Sequence, residues 1–252
     1  MENLAGATPP VPLASSRATL SPTPPPMPGP ALVRQSWVDV AFVHWPVDPA
    51  AVAPLLPEGT RPDTLDGVTY AGLVAFRVSS SLVAGAAPTG AFGEVNVRLY
   101  SVDDHGRRGV VFLTMDADSA VVASSARAVT GLPYTWSDVS LRRGPGGRRA
   151  GAVRRRFPGA ARGSWSLRVG QALGEHGDLE RFLTARWGLH TRHLGRTWWL
   201  RISHRPWPLY RAQLLHHDGD LLAAAGVEPM VREPVSVLCS PGVSCFLLPV
   251  PV

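Results

Sequence analysis

Lysine is missing from this sequence. All 25 basic residues among its 252 are arginine, so no side-chain amine is present to form a Schiff base with a carbonyl compound. Cysteine is scarce. Cys239 and Cys245, in "VLCSPGVSCFLL", are the only two, too few for a disulfide framework. Flanking a Ser-Pro-Gly turn, they are expected to approach each other across a closing hairpin as packing thiols. With no basic start leading into an apolar leader, they point to a reducing, cytoplasmic compartment. Long apolar runs are lacking too: none approaches the roughly 20 residues of a membrane-spanning helix. There is no phosphate-cradling glycine loop, nucleophile elbow or zinc-type cysteine pattern. Nothing here implies a metal or a redox cofactor.

What is present describes a globular chain. Hydrophobic residues make up 45% and charged residues 17%, and Gly and Pro number 25 each, which favours many short elements joined by turns. The net charge of +6 is unevenly placed. Residues 140–162, "SLRRGPGGRRAGAVRRRFPGAAR", hold eight arginines and no acid, leaving the remainder slightly acidic. Such a stripe can bind nucleic acid or an anionic surface. It also fits a solvated hairpin around "GPGG" with exposed arginines. Only Phe157 is interleaved, so the stacking platform of a single-strand binder is lacking and nucleic acid is disfavoured.

Residues 1–33 read as a disordered tail, with nine prolines and only Glu2 and Arg17 charged, too polar and too restricted to bury a core. Residues 34–252 read as a single domain. "WVDVAFVHWPV", "GVTYAGLVAFRV", "FGEVNVRLYSV" and "GVVFLTMDA" have strand character. "DPAAVAPLLPEG" is a short helix with Asp48 as its cap and Pro49 at its first position. "DSAVVASSARAVTG" is a longer helix, with Asp118 as N-cap and Gly131 as stop. Further strands are expected in "YTWSDVSLRR", "AGAVRRRF", "GSWSLRVG" and "RTWWLRISHRPWPLYRAQLLHH". Helices are expected in "GDLERFLTARWG" and "DGDLLAAAGV", and the hairpin "PVSVLCSPGVSCFLLPV" closes the chain. The class is α+β, built on a large, mostly antiparallel sheet.

The stretch "FGEVNVRLYSV" carries the most chemistry. Glu94, Asn96, Arg98 and Tyr100 alternate with Val95, Val97 and Leu99, so a strand there shows a polar row on one face and an apolar stripe on the other. A carboxylate, an amide, a guanidinium and a phenol in one row supply a base, an orienting donor, an anion clamp and an acid. An amphipathic strand whose polar side is wet has the same pattern. Asp116, ending the next strand, and Arg127, late in the helix, are candidates for the same pocket. The eight histidines offer less. His190 and His193 have helical spacing but no third metal ligand.

Taken together, "FVHWPVDPAAVAPLLPEGTRPDTLDGVTYAGLVAFRV", "EVNVRLYSV", "GVVFLTMDADS", "ARAVTGLPY" and "SPGVSCFLLP" resemble the YqjF-like family of uncharacterised conserved bacterial proteins, from about Arg34 to Val250. That family is similar in turn to the acetoacetate-decarboxylase-like superfamily. The resemblance implies a large curved β-sheet closing into a cone or barrel around a cavity, with the polar row facing inward. It places Glu94 on the glutamate of the decarboxylases and Tyr134 where their Schiff-base lysine stands. His44 and Trp45 fall near another site arginine, as further cavity candidates. Tyrosine cannot form the imine, so that decarboxylation is excluded while the fold carries over. The implied function is binding of a small organic acid or carbonyl compound. Arg98, with Asn96, Tyr100, Asp116, Arg127, His44 and Trp45, would hold it, and Glu94 and Tyr134 would handle protons in lyase or hydration/dehydration chemistry. A non-catalytic sensor using the same cavity, or an interaction protein using the arginine hairpin, are the alternatives. Ligand identity and oligomeric state stay open.

Overall fold

The computed structural model describes residues 20–84, 90–157 and 159–250. The tail expected over residues 1–33 lies outside the described residues as far as residue 19. Leu20 packs against the core, the Ser21 carbonyl accepts from Trp187 Nε1 at 2.9 Å, and Leu32 N–H bonds to the Leu247 carbonyl.

From there the chain runs through β1 (Val33–Val47), α1 (Pro49–Val52), β2 (Thr60–Pro62), β3 (Thr69–Val83), β4 (Phe92–Asp103) and β5 (Arg108–Ala117). Next come α2 (Ala120–Thr130), β6 (Tyr134–Arg143), β7 (Arg148–Phe157), β8 (Arg162–Ala172) and α3 (Asp178–Thr184). The last elements are β9 (Gly188–His193), β10 (Arg196–His204), β11 (Tyr210–Gly219), α4 (Leu221–Ala224) and β12 (Ser236–Val250). The strands form one sheet in the order β10-β9-β5-β6-β7-β8-β11-β12-β1-β3-β4-β2, and β4 also pairs with β5, and β10 with β12. Pairing is antiparallel except where β5 meets β6 and β9. The expected mostly antiparallel sheet with a few short helices is therefore observed.

Local chemistry explains the helix ends. Asp48 caps α1, accepting from Ala50 N–H, with Pro49 following. Gly131 stops α2 in the left-handed conformation at φ 71°. The cap of α2 is Ser119, whose hydroxyl accepts from Val122 N–H, and not the expected Asp118. The Asp118 carboxylate instead accepts from Gly93 N–H at 2.8 Å, tying the start of β4 to the end of β5.

The largest correction is at the C-terminus. The predicted closing hairpin is one 15-residue strand, β12, and it pairs with β1 in a constant register from Val33↔Leu247 to His44↔Ser236. Cys239 and Cys245 thus lie along one strand as buried free thiols and do not face each other. Where the ladder passes Asp39 and Pro241, both strands are distorted. Asp39 has φ 58° and Gly242 φ 128°, and a Cβ on Gly242 would lie 1.9 Å from the Trp37 carbonyl oxygen, so only glycine fits there.

Both sheet faces are covered by apolar side chains. One core, on the inner face of the sheet, contains Phe42, Val74, Phe76, Tyr100, Met115, Tyr134 and Phe182. The other contains Ala41, Trp45, Leu73, Val95, Val97, Leu99 and Trp165. The odd and even positions of β4 divide between them, as strand geometry requires.

Candidate functional site

Cross-strand register assembles the site. On the inner face Phe42, Val74, Asn96, Met115 and Tyr134 lie on one rung, through the pairs Phe42↔Val74, Val74↔Asn96, Asn96↔Met115 and Met115↔Tyr134. The neighbouring rung holds His44, Gly72 and Arg98. Gly72 lets the two flanking side chains share that rung: a Cβ there would lie 2.9 Å from the His44 ring and 3.4 Å from Arg98 Cγ.

Two linked groups of polar side chains result. In the first, Tyr134 O–H donates to Glu94 Oε2 at 3.0 Å and Asn96 Nδ2 donates to Glu94 Oε1 at 3.2 Å. Burial pushes the Glu94 carboxyl up to about 7, against these two hydrogen bonds and with some help from the Asp116 charge. Burial, and then the Glu94 charge, hold the Tyr134 phenol well above its ordinary value. At neutral pH the pair is thus a half-protonated carboxyl joined to a phenol that keeps its hydrogen.

In the second group, Arg98 Nη2 donates to the Leu183 carbonyl at 2.9 Å and to the Tyr100 oxygen at 3.3 Å. The Tyr100 oxygen also lies 2.8 Å from His44 Nε2 and 2.9 Å from the Leu183 oxygen. With the phenolic hydrogen on that carbonyl, His44 Nε2–H donates to Tyr100 and Nδ1 is a bare acceptor. Desolvation, and then the Arg98 charge, hold His44 well below its ordinary value, so its ring is neutral. The Arg98 guanidinium also sits 5.6 Å from the Phe42 ring centroid. Leu183 is aimed by the end of α3. Phe182 packs on Tyr100 at 5.2 Å, and Arg186 donates to the Phe182 carbonyl and to Asp63.

Four atoms on this face are buried without a hydrogen-bond partner among the described residues: His44 Nδ1, Asn96 Oδ1, Arg98 Nε and Arg186 Nη2, the last on a guanidinium packed over Tyr100 and Phe182. No ion pair joins Arg98 to a carboxylate among the described residues. Glu94, Asn96 and Tyr100 are at most 3% exposed, while Arg98 keeps accessible surface.

Other candidates fall elsewhere. Trp45 is on the opposite face from His44, as adjacent strand residues must be, and it donates to the Arg232 carbonyl. Asp116 pairs with Val95 across β4 and β5, also on the far face, where it holds Arg155 and Ser137. Arg127 is exposed on α2 and donates to the Tyr134 backbone carbonyl. Asp116 and Arg127, candidates for the same pocket, therefore do not join Glu94 and Arg98.

The arginine hairpin is largely neutralised by acids from outside its own segment. Asp39 takes Arg143 and Arg149, Asp116 takes Arg155, and Asp138 takes Arg154 and Arg156. His190 lies on strand β9, not on a helix, and bonds Ser101 at 2.8 Å and Asp103 at 3.4 Å. Ser101 has no exposed surface, so this serine–histidine–aspartate arrangement is a buried structural link. Among the described residues, no cluster of His, Cys, Asp or Glu could hold a metal ion, and no helix is long and apolar enough to cross a membrane.

A family model, DUF2071, described as an uncharacterized conserved protein, matches residues 34–244. The chain belongs to the DUF2071 family. It is 29% identical over 189 residues to the uncharacterized protein YqjF of Bacillus subtilis (strain 168), covering 72% of this chain and 76% of that one. Two solved structures share its fold. Acetoacetate decarboxylase from Legionella pneumophila matches with TM-score 0.63 at 14% identity, covering 90% of this chain and 92% of the other. The enduracididine biosynthesis enzyme MppR, complexed with pyruvate, matches with TM-score 0.61 at 18% identity, covering 88% and 91%. This DUF2071 chain therefore has an acetoacetate-decarboxylase-like fold. Identity at this level transfers the fold and no activity.

Proposed function

We propose that this DUF2071 protein binds a small organic acid on the inner face, with its carboxylate on Arg98, and that Glu94 and Tyr134 move protons on the bound compound. One observation carries the reading: Arg98 is a guanidinium in a buried row with no carboxylate partner among the described residues and with an Nε that has no hydrogen-bond partner there. A buried cation costs free energy until an anion pairs with it, and a carboxylate can take two parallel hydrogen bonds from a guanidinium. That MppR is complexed with pyruvate supports the choice of acid.

The chemistry follows from what is and is not available. The chain has no lysine, so an imine through a side-chain amine is excluded. Glu94, poised near neutrality, suits general acid–base work. As carboxylate it takes the proton from the carbon next to the ligand's carbonyl. Protonated, it returns that proton to a β-hydroxyl, which leaves as water while the carbon–carbon double bond forms. Tyr134 holds the Glu94 oxygen in place, and Asn96 orients the carboxyl from its other side. The raised Glu94 pKa favours this lyase or hydration/dehydration reading over a purely binding role, for which an ordinary carboxylate would serve.

The test is a thermal-shift screen with pyruvate, acetoacetate and 3-hydroxybutyrate on wild type, Arg98→Met and Glu94→Gln. A ligand at about 100 times its Kd adds close to 2.7 kcal/mol. A rise that disappears in Arg98→Met and survives in Glu94→Gln, with turnover lost in Glu94→Gln, supports the proposal. A rise unaffected by Arg98→Met refutes the anion site. Binding with no turnover leaves a sensor.

A further inference from the structure

A cavity of about 430 Å³, within the range of ligand pockets, lies apart from the inner row. Its walls include Pro22, Ala185, Trp187, Pro206, Trp207 and Pro208, and none of Glu94, Asn96, Arg98 or Tyr100. Aromatic and proline rings dominate it. His204 lies between Trp187 and Trp207, with ring centroids 4.9 and 4.8 Å away, and Trp207 stacks on Trp37 at 6.1 Å and 13°. Pro206 and Pro208 flank Trp207 in the chain and restrict its backbone, so this indole is held in place before anything binds.

One indole of the wall displays the chemistry that suits it. Trp187 Nε1–H donates at 2.9 Å to the Ser21 carbonyl, which belongs to the amide joining Ser21 to Pro22, and Pro22 is itself part of the wall. Such a tertiary amide offers an acceptor and no N–H, so it meets an apolar wall without leaving a donor unpaired. Trp207 is only 6% exposed, yet its Nε1–H has no hydrogen-bond partner among the described residues. It is not one of the fully sealed unpartnered atoms, so a ligand in the cavity can reach it. An acid finds no free guanidinium here, because Arg181 is engaged by Asp178 and the His176 carbonyl.

We propose that this cavity binds an X-Pro unit of a proline-rich segment supplied by another polypeptide, with the proline ring against Trp207 and the preceding carbonyl on its Nε1–H. The contact repeats at Trp207 what Ser21 and Pro22 make at Trp187. Proline-rich segments are extended and stiff before they bind, and aromatic-lined grooves take them at low entropic cost. This chain's own neighbouring prolines are used elsewhere. A Cβ on Gly29 would lie 3.7 Å from Leu248, and Leu32 pairs with Leu247, so the chain has turned to β12. Of Pro22, Pro24, Pro25, Pro26 and Pro28, only Pro22 reaches the wall. The site is independent of the anion site at Arg98.

Isothermal titration of decaproline into the full-length protein, with a Gly-Ser peptide of equal length as control, decides it. The proteins are wild type, Trp207→Phe, Ala185→Phe and the triple variant Pro9→Ser/Pro10→Ser/Pro12→Ser. Trp207→Phe keeps an aromatic ring and removes the donor, and Ala185→Phe fills the cavity without removing a core side chain. Expected are binding of decaproline but not of the control, weakening by about tenfold in Trp207→Phe, the size of one hydrogen bond, and loss in Ala185→Phe. A second reading uses wild type alone and does not depend on how well the variants fold. In its nitrogen-15 NMR spectrum the Trp207 indole signal, assigned by its absence from Trp207→Phe, should move when decaproline is added. No binding to wild type or the triple variant, equal binding by all four proteins, or an unmoved Trp207 signal would overturn the proposal. Binding by the triple variant alone would overturn supply from another chain and make residues 9–12 the occupant.

Discussion

Replacing Glu94 by glutamine should make the protein more stable, and by an amount that depends on pH. Burial raises the carboxyl from 4.5 to about 7 in the folded protein. Below pH 4.5 the group is protonated whether folded or unfolded and contributes nothing. Between 4.5 and 7 the unfolded chain ionises it more readily, so stability falls as pH rises through this window. Above 7 the penalty is complete, at about 3 kcal/mol from 1.36 kcal/mol per unit. Glutamine is the neutral isostere. Its carbonyl takes the Tyr134 hydrogen, and its amide meets Asn96 Oδ1, which has no partner among the described residues. Urea denaturation of both proteins at pH 5 and pH 8 reads the effect. The gap in favour of Glu94→Gln should widen by about 2–3 kcal/mol, or roughly 4–12 °C in Tm for a domain of this size. The histidines titrate in both proteins and cancel in the difference. A gap of equal size at the two pH values would refute the reasoning, because it would mean an ordinary, solvated carboxyl.

Three further outcomes follow. Gly72→Ala should cost about 1–3 kcal/mol, because the added methyl overlaps the His44 ring at 2.9 Å, and chemical denaturation against a Gly174→Ala control, where the methyl meets open space, measures it. Asp116→Ala should cost about 3–5 kcal/mol by leaving the buried Arg155 guanidinium unpaired, while Asp138→Ala, at an exposed pair, should leave the denaturation midpoint almost unchanged. Removal of residues 1–28 should free Trp187 Nε1 and open the wall that Pro22 lines; acrylamide quenching of tryptophan fluorescence should rise, and no change would show that the segment does not shield the cavity.

Alternation in "EVNVRLY" made the inner row legible, because a strand has only two faces and one of them here is uniformly aliphatic. The same rule separates His44 from Trp45, and a stricter use of it would have kept Trp45 out of the site. Asp116 needed the register, since only its pairing with Val95 and not Glu94 places it on the far face. The Leu183 carbonyl and Gly72 left no trace in the sequence: one is a backbone atom aimed by tertiary packing, the other matters for a side chain it lacks. The Ser-Pro-Gly of β12 reads as a turn by every local criterion. It is tolerated inside a strand because the ladder skips Pro241, where no N–H is required.

That skipped rung has a consequence for where each strand could lose a residue. Trp37 and Phe42 share the inner core although they are five positions apart, and so do Leu238 and Val243; Asp39 and Pro241 are each one residue too many for simple alternation. Standing opposite each other, they behave as a matched pair of insertions. Loss of either alone would leave the other as a one-residue bulge against an uninterrupted partner, whereas loss of both would restore simple alternation with every other side chain on its present face. Asp39, with Arg143 and Arg149 gathered on it, turns the spare residue into an anchor for the arginine hairpin.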